Sequence, residues 1–198
     1  MPLIELLDLA GVAVFAVSGA LLAASRRQTL VTFIFFAVVT GVGGDADPEI
    51  GIVLDPEDRN VDQQVARGAA AVLVWALPAR LWNERALLWF DAVGLAAYAS
   101  YGAAKGLAFD VAPIPAIGMG VVTGCLGGII RDVLAGEPSI LMRPELYVTA
   151  AALSAALTVL LMLLGVPAFI AGVVAALAGF TLRGAAIGRG WALPAYER

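Results

Sequence analysis

Apolar residues in this chain run in long blocks, about Leu3–Ala24, Leu30–Gly44, Val65–Leu81, Leu87–Ala104, Ala112–Ile130, Leu146–Leu164 and Pro167–Ala186. A helix of roughly 20 apolar residues crosses the ~30 Å hydrocarbon layer of a bilayer. The blocks therefore predict seven transmembrane helices in an all-α, polytopic membrane protein. The third is the weakest, because only twelve uncharged residues, 68–79, separate Arg67 from Arg80. A buried soluble core imitates one or two such blocks, but not seven.

Within this pattern the chain repeats itself at a constant offset of 83 residues. Asp8 and Asp91, Gly11 and Gly94, Phe15 and Tyr98, Gly19 and Gly102, Thr40 and Thr123, and Gly41 and Gly124 all share that offset. Each copy holds three spans. An odd number of spans inverts the following copy, so the repeats are expected to be related by a pseudo-twofold axis in the membrane plane. Residues 1–82 form the first repeat, 83–164 the second, and 165–198 a seventh helix with a cytoplasmic tail. Ala171, Ala175 and Gly179, four residues apart, give that last helix a flat face for close packing.

Composition agrees: mean hydropathy is +0.92, with 61% hydrophobic and 14% charged residues. Leu3–Ala24 lacks a basic start, carries Glu5 and Asp8, and is followed by Arg26-Arg27, so it is expected to be a retained helix and not a secretory signal. Nine of the twelve basic residues fall on one side of the seven-span arrangement, and Arg59, Arg67 and Lys105 on the other. The positive-inside rule then places the N-terminus outside and the C-terminus in the cytoplasm of the cell's inner (plasma) membrane.

The net charge of −4 is local in origin. Residues 45–64 hold seven acids and one base, whereas the rest of the chain is net +2. This acidic extracytoplasmic loop lacks the ligand order and the sixth-position glycine of an EF-hand, so it reads as a solvated surface. No basic patch suits nucleic acid. The single cysteine, Cys125, excludes an internal disulfide and reads as a small packing residue.

The chain has no histidine, which removes Ser–His and Cys–His nucleophiles and histidine metal sites. No catalytic residue, metal or cofactor is assigned, and the chain is not expected to be an enzyme. The candidate site is instead a polar path. Gly120, Gly124 and Gly128 share one helix face, and the glycines of spans two and five (Gly41, Gly43, Gly44; Gly124, Gly127, Gly128) have two readings. One is a close-packing stripe. The other, favoured by the matched Thr40-Gly41 and Thr123-Gly124, is a helix break that exposes carbonyls to a water-filled path. Asp8 and Asp91 are either interfacial carboxylates or acids inside a polar cavity. Arg131 either anchors at the cytoplasmic face or pairs with Asp132 or one of the matched acids as a charged gate. Ser18, Ser100 and Tyr101 add hydroxyls near the same faces.

Asp8-x-x-Gly11-x-x-x-Phe15-Ala16-x-Ser18-Gly19-Ala20, its copy from Asp91, Gly127-Gly128-Ile129-Ile130-Arg131-Asp132-Val133-Leu134-x-Gly136-Glu137-Pro138 and Arg143-Pro144-Glu145-Leu146-Tyr147 resemble the prokaryotic branch of the trimeric intracellular cation channels. The resemblance covers about residues 3–44 and 65–190. It implies a homotrimer with a pore in each protomer, lined by glycine-kinked helices 2 and 5. It also implies potassium as the foremost permeant ion and lipid bound between helices. Kinked spans would present carbonyls and the Thr40 and Thr123 hydroxyls to partly dehydrated ions. The inverted repeats suit a secondary transporter of a small solute equally well. One departure stands out. The offset predicts arginine and aspartate at positions 48 and 49, matching Arg131-Asp132, but the chain has Pro48 and Glu49. Register returns at Val65, opposite Val148. This is a local replacement, either a divergent loop or a pair of compensating frameshifts.

Overall fold

The computed structural model describes residues 3–42, 46–47, 51–52, 61–78, 85–139 and 145–194. They form seven helices: α1 (Leu3–Ser25), α2 (Leu30–Val42), α3 (Val61–Ala76), α4 (Ala86–Ala108), α5 (Pro113–Leu134), α6 (Val148–Leu163) and α7 (Ala168–Arg189). Two strands of two residues, β1 (Ala46–Asp47) and β2 (Gly51–Ile52), pair antiparallel inside the acidic loop. Helix α3 starts at Val61, four residues before the apolar block. Its first turn, with Asp62, Gln63 and Gln64, is polar and continues the helix beyond the hydrophobic layer.

The helix ends repeat as the sequence does. Arg27 and Asp110, 83 residues apart, are the only non-glycine residues with positive φ among those described, at 51° and 59°. A left-handed residue here lets the chain turn back on the finished helix. Gln28 N–H donates to Ala23 O after α1, and Val111 N–H donates to Gly106 O after α4, again at the same offset. Non-glycine residues seldom adopt this conformation, so its recurrence marks two copies of one turn. Pro113 then opens α5, where its missing N–H costs nothing.

Helix α4 lies at the centre, against α1, α5, α6 and α7. Where α1 crosses α4, the contacts are reciprocal. A Cβ on Gly11 would press on the Tyr98 ring, and one on Gly94 would press on the Phe15 ring. The two rings meet at 5.3 Å between centroids. Gly19 likewise faces Thr40, and Gly102 faces Thr123. The first pair of contacts runs between the copies and the second recurs within each copy, so equivalent positions have equivalent neighbours.

Polarity is distributed as in a protein dissolved in lipid. The buried set includes Ser18, Thr40, Arg67, Asp91, Ser100, Thr123, Arg131, Asp132, Ser154, Thr158 and Arg183, together with many alanines. The outer surface carries Val31, Phe35, Leu73, Trp75, Ile114, Leu164 and Leu177. Small residues let the helices approach closely. Ala171, Ala175 and Gly179 are buried, and Gly179 packs on the Ser154 hydroxyl and the Ala150 carbonyl of α6.

Candidate functional site

The structure joins Arg131 to two of its candidate acids, Asp91 and Asp132. Arg131, on α5, donates from Nη1 to Asp91 Oδ1 of α4 at 2.7 Å. It donates to Asp132 Oδ1 from Nε at 3.0 Å and from Nη2 at 2.9 Å. Nη1 also reaches Ser18 Oγ of α1 at 3.3 Å, and Ser18 itself donates to Phe15 O at 2.9 Å. Arg131 and Asp91 are each 1% exposed. One guanidinium therefore ties three helices from both repeats in the buried interior. A buried arginine is tolerable only with such partners.

The glycines make room for this cluster. A Cβ on Gly128 would collide with the Tyr147 hydroxyl and come within 3.1 Å of Asp91 Oδ1. On Gly127 it would sit 2.8 Å from Thr40 O, so this position brings α5 onto the end of α2. Gly120 and Gly124 admit the Ala99 and Leu95 carbonyls of α4. Helix α5 runs as one α-helix from Pro113 to Leu134, and none of these four glycines has a positive φ. The expected break at Gly124–Gly128 is thus absent from α5. The close-packing reading is the one the contacts support, because missing side chains open space without freeing backbone groups.

The other candidates are more dispersed. Thr40 and Thr123 are buried, facing Gly19 and Gly102. Ser100 and Tyr101 line a groove of about 290 Å³ between α4 and α7, shared with Lys105, Phe169 and Val173. Lys105 Nζ lies over the Tyr101 ring at 5.9 Å. Gly41 lies against Arg67. Gly43, Gly44 and the Asp8 side chain lie outside the described residues.

Three residues of the site, Glu145, Tyr147 and Arg183, were given no role from the sequence, although the first two stand in a motif that carries the resemblance. Tyr147, 1% exposed, points its hydroxyl at Gly128. Arg183 of α7 stacks over the Tyr147 ring at 5.3 Å and donates from Nη2 to Glu145 Oε2 at 2.6 Å. A bridge between Glu145 and Ala192 ties the same spot to the C-terminal segment. The available signal was Arg183 itself, a charge within an apolar span. Among the described residues, Asp91 Oδ2 and the Tyr147 hydroxyl are buried oxygens without a hydrogen-bond partner.

Seven helices with a lipid-type surface and a charged interior define a polytopic membrane protein with a polar centre. A family model described as "Glycine transporter" matches residues 5–46 and 88–163. The chain is 38% identical over 157 residues to the inner membrane protein YadS of Escherichia coli, covering 75% of this chain and 73% of that one. It is 34% identical over 155 residues to the membrane protein YvgT of Bacillus subtilis, covering 75% and 76%. Among solved structures, the trimeric intracellular cation channel orthologue from Rhodobacter sphaeroides is 35% identical and superposes with a TM-score of 0.83, covering 96% of this chain and all of that one. A prokaryotic channel of the same type, solved in 0.5 M KCl, is 27% identical with a TM-score of 0.84, covering 96% and 98%. The chain belongs to this family, the prokaryotic branch of the trimeric intracellular cation channels. The family match omits residues 47–87, which include most of the segment where the internal offset fails.

Proposed function

We propose that the protein is a monovalent cation channel, with potassium as its main permeant ion, a pore in each protomer and a homotrimeric assembly. The observation that carries this reading is the Arg131–Asp91 pair at 2.7 Å, buried where helices of the two repeats meet. An acid at such a place attracts cations, and an arginine seated on it cancels that attraction and fills the space. Release of Arg131 would free the Asp91 carboxylate for a passing ion. The ion would then move along α2 and α5, past the Thr40 and Thr123 hydroxyls. Asp8 would serve the opposite end. The likeness to solved trimeric intracellular cation channels supports the class.

The proposed orientation has the N-terminus outside and the C-terminus cytoplasmic, following the arginine bias. Lipid is the proposed occupant of the apolar groove between α4 and α7, with Lys105 near its headgroup.

A second reading is favoured by the glycine-transporter description of the family model. Inverted repeats around a polar centre also suit alternating access by a small-solute carrier. Purified protein in a planar bilayer under a potassium gradient separates the two. Unitary currents whose reversal potential follows the gradient are expected. Saturable glycine uptake coupled to a counter-ion, with no unitary events, overturns the channel.

A further inference from the structure

Position 48 is where the repeat predicts the equivalent of Arg131, and the chain has proline there. A guanidinium nevertheless reaches the end of α2 from another helix. Arg67, on α3, is 5% exposed. Its Nη2 donates to Gly41 O at 3.4 Å and to Gln63 Oε1 at 3.2 Å. Its stem lies along α2: a Cβ on Gly41 would stand 3.0 Å from Nε and 3.2 Å from Cγ. Gly41 is the offset equivalent of Gly124, and Gly124 lies on the helix that carries Arg131.

We propose that Arg67 supplies the positive charge missing at position 48 and acts as the extracytoplasmic counterpart of Arg131 at the mouth of the ion path. This assignment rests on the channel reading above. Three arguments support it. An arginine inside a bilayer span is costly and persists where it faces a polar interior. Gly41 O lies in the last turn of α2, where carbonyls lack intrahelical donors and the helix dipole is negative, so a guanidinium is held there. The two halves would then each carry one buried arginine near the path, on opposite sides of the membrane, although α5 supplies one and α3 the other. The symmetry of charge survives while the symmetry of sequence does not.

A plain helix cap at Gly41 differs from this proposal in what it requires. A cap needs a donor, and a charged mouth needs a charge. Arg67→Gln keeps an N–H donor and removes the charge, whereas Arg67→Lys keeps the charge as a more compact group. Both variants and the parent are to be purified, checked for folding by gel filtration and thermal unfolding, and recorded in planar bilayers with potassium chloride. In folded protein, Arg67→Gln is expected to raise potassium conductance or open probability several-fold, because a fixed charge in a narrow mouth controls local ion concentration. Arg67→Lys is expected to stay close to the parent. A conducting parent with an unchanged, folded Arg67→Gln variant overturns the assignment and leaves Arg67 as a cap. If Arg67→Gln does not fold, Arg67→Lys decides alone: potassium conductance close to the parent's supports the proposal, and a several-fold change with the charge retained overturns it. A parent silent in every recording overturns the channel reading itself, and this assignment with it.

Discussion

Arg131 and Asp91 lie 40 residues apart on α5 and α4 and meet at 2.7 Å, each only 1% exposed. Asp132 shares the same guanidinium at 2.9 Å. The arrangement is lopsided: the arginine has two acids, while Asp91 has one cation. Removing the arginine strands two carboxylates, whereas removing Asp91 leaves the arginine with Asp132 and Ser18.

The two changes therefore differ in cost. Breaking a buried pair by deleting the shared ion costs about 3–5 kcal/mol, and we expect Arg131→Gln to fall in that range. Asp91→Asn, which keeps the shape and one acceptor, is expected to cost about 1–3 kcal/mol. Thermal unfolding of detergent-solubilised protein measures both. An Asp91→Asn loss equal to or larger than that of Arg131→Gln contradicts the shared-cation geometry.

The reciprocal contacts at the crossing of α1 and α4 allow a test that needs no functional assay. Gly11 abuts the Tyr98 ring and Gly94 abuts the Phe15 ring. Overpacking at such places costs about 1–3 kcal/mol, so Gly11→Ala and Gly94→Ala are both destabilising. Shrinking the opposing ring should relieve the clash. We expect Gly11→Ala with Tyr98→Ala to cost less than the sum of the singles, with a coupling of about 0.5–3 kcal/mol. Strict additivity would show that Gly11 and Tyr98 do not touch.

Much of this was legible from the chain. Hydropathy blocks located all seven helices, and the 83-residue offset anticipated matched positions such as Phe15 and Tyr98, which proved to touch. Helix ends were less legible, because hydropathy measures the thickness of the lipid layer and not the length of the helix. This is why α3 begins at Val61 in a polar turn. The role of the glycines was ambiguous for a related reason. A four-residue spacing fixes a shared face, but it is equally compatible with packing and with a broken helix. Only the neighbour decides, and the neighbours of Gly124 and Gly127 come from α4 and α2. Tyr147, quoted only as part of a motif, and Arg183 were given no role because their importance comes from meeting each other, 36 residues apart.

If packing explains the glycines, their tolerance to alanine should follow the neighbour and ignore the helix. Gly127 and Gly118 both lie on α5. A Cβ on Gly127 would stand 2.8 Å from the Thr40 carbonyl, a backbone atom that cannot swing away, while one on Gly118 meets nothing within 4 Å. Gly127→Ala is expected to cost about 1–3 kcal/mol. Gly118→Ala is expected to be neutral or to stabilise by up to about 1 kcal/mol, since alanine favours helix over glycine. Similar losses at both sites would point to a need for helix flexibility and revive the broken-helix reading.

Arg183 offers the remaining test, because it meets the ion-pair cluster through Tyr147. Its guanidinium stacks on that ring at 5.3 Å and bonds Glu145 at 2.6 Å, while the ring's hydroxyl fills the space beside Gly128 and Asp91. Loss of a stacked, nearly inaccessible arginine removes a charge-assisted bond worth about 1.5–3 kcal/mol. Arg183→Ala should lower stability by that amount and also loosen Tyr147 against α5. Tyr147→Phe keeps the ring under Arg183 and deletes a hydroxyl with no partner among the described residues, so its stability should change little. If the hydroxyl serves the ion path, Tyr147→Phe should alter bilayer currents while leaving the melting curve in place. A Tyr147→Phe variant that melts as early as Arg183→Ala would mean that the hydroxyl is bonded within the fold, and its role would then be structural.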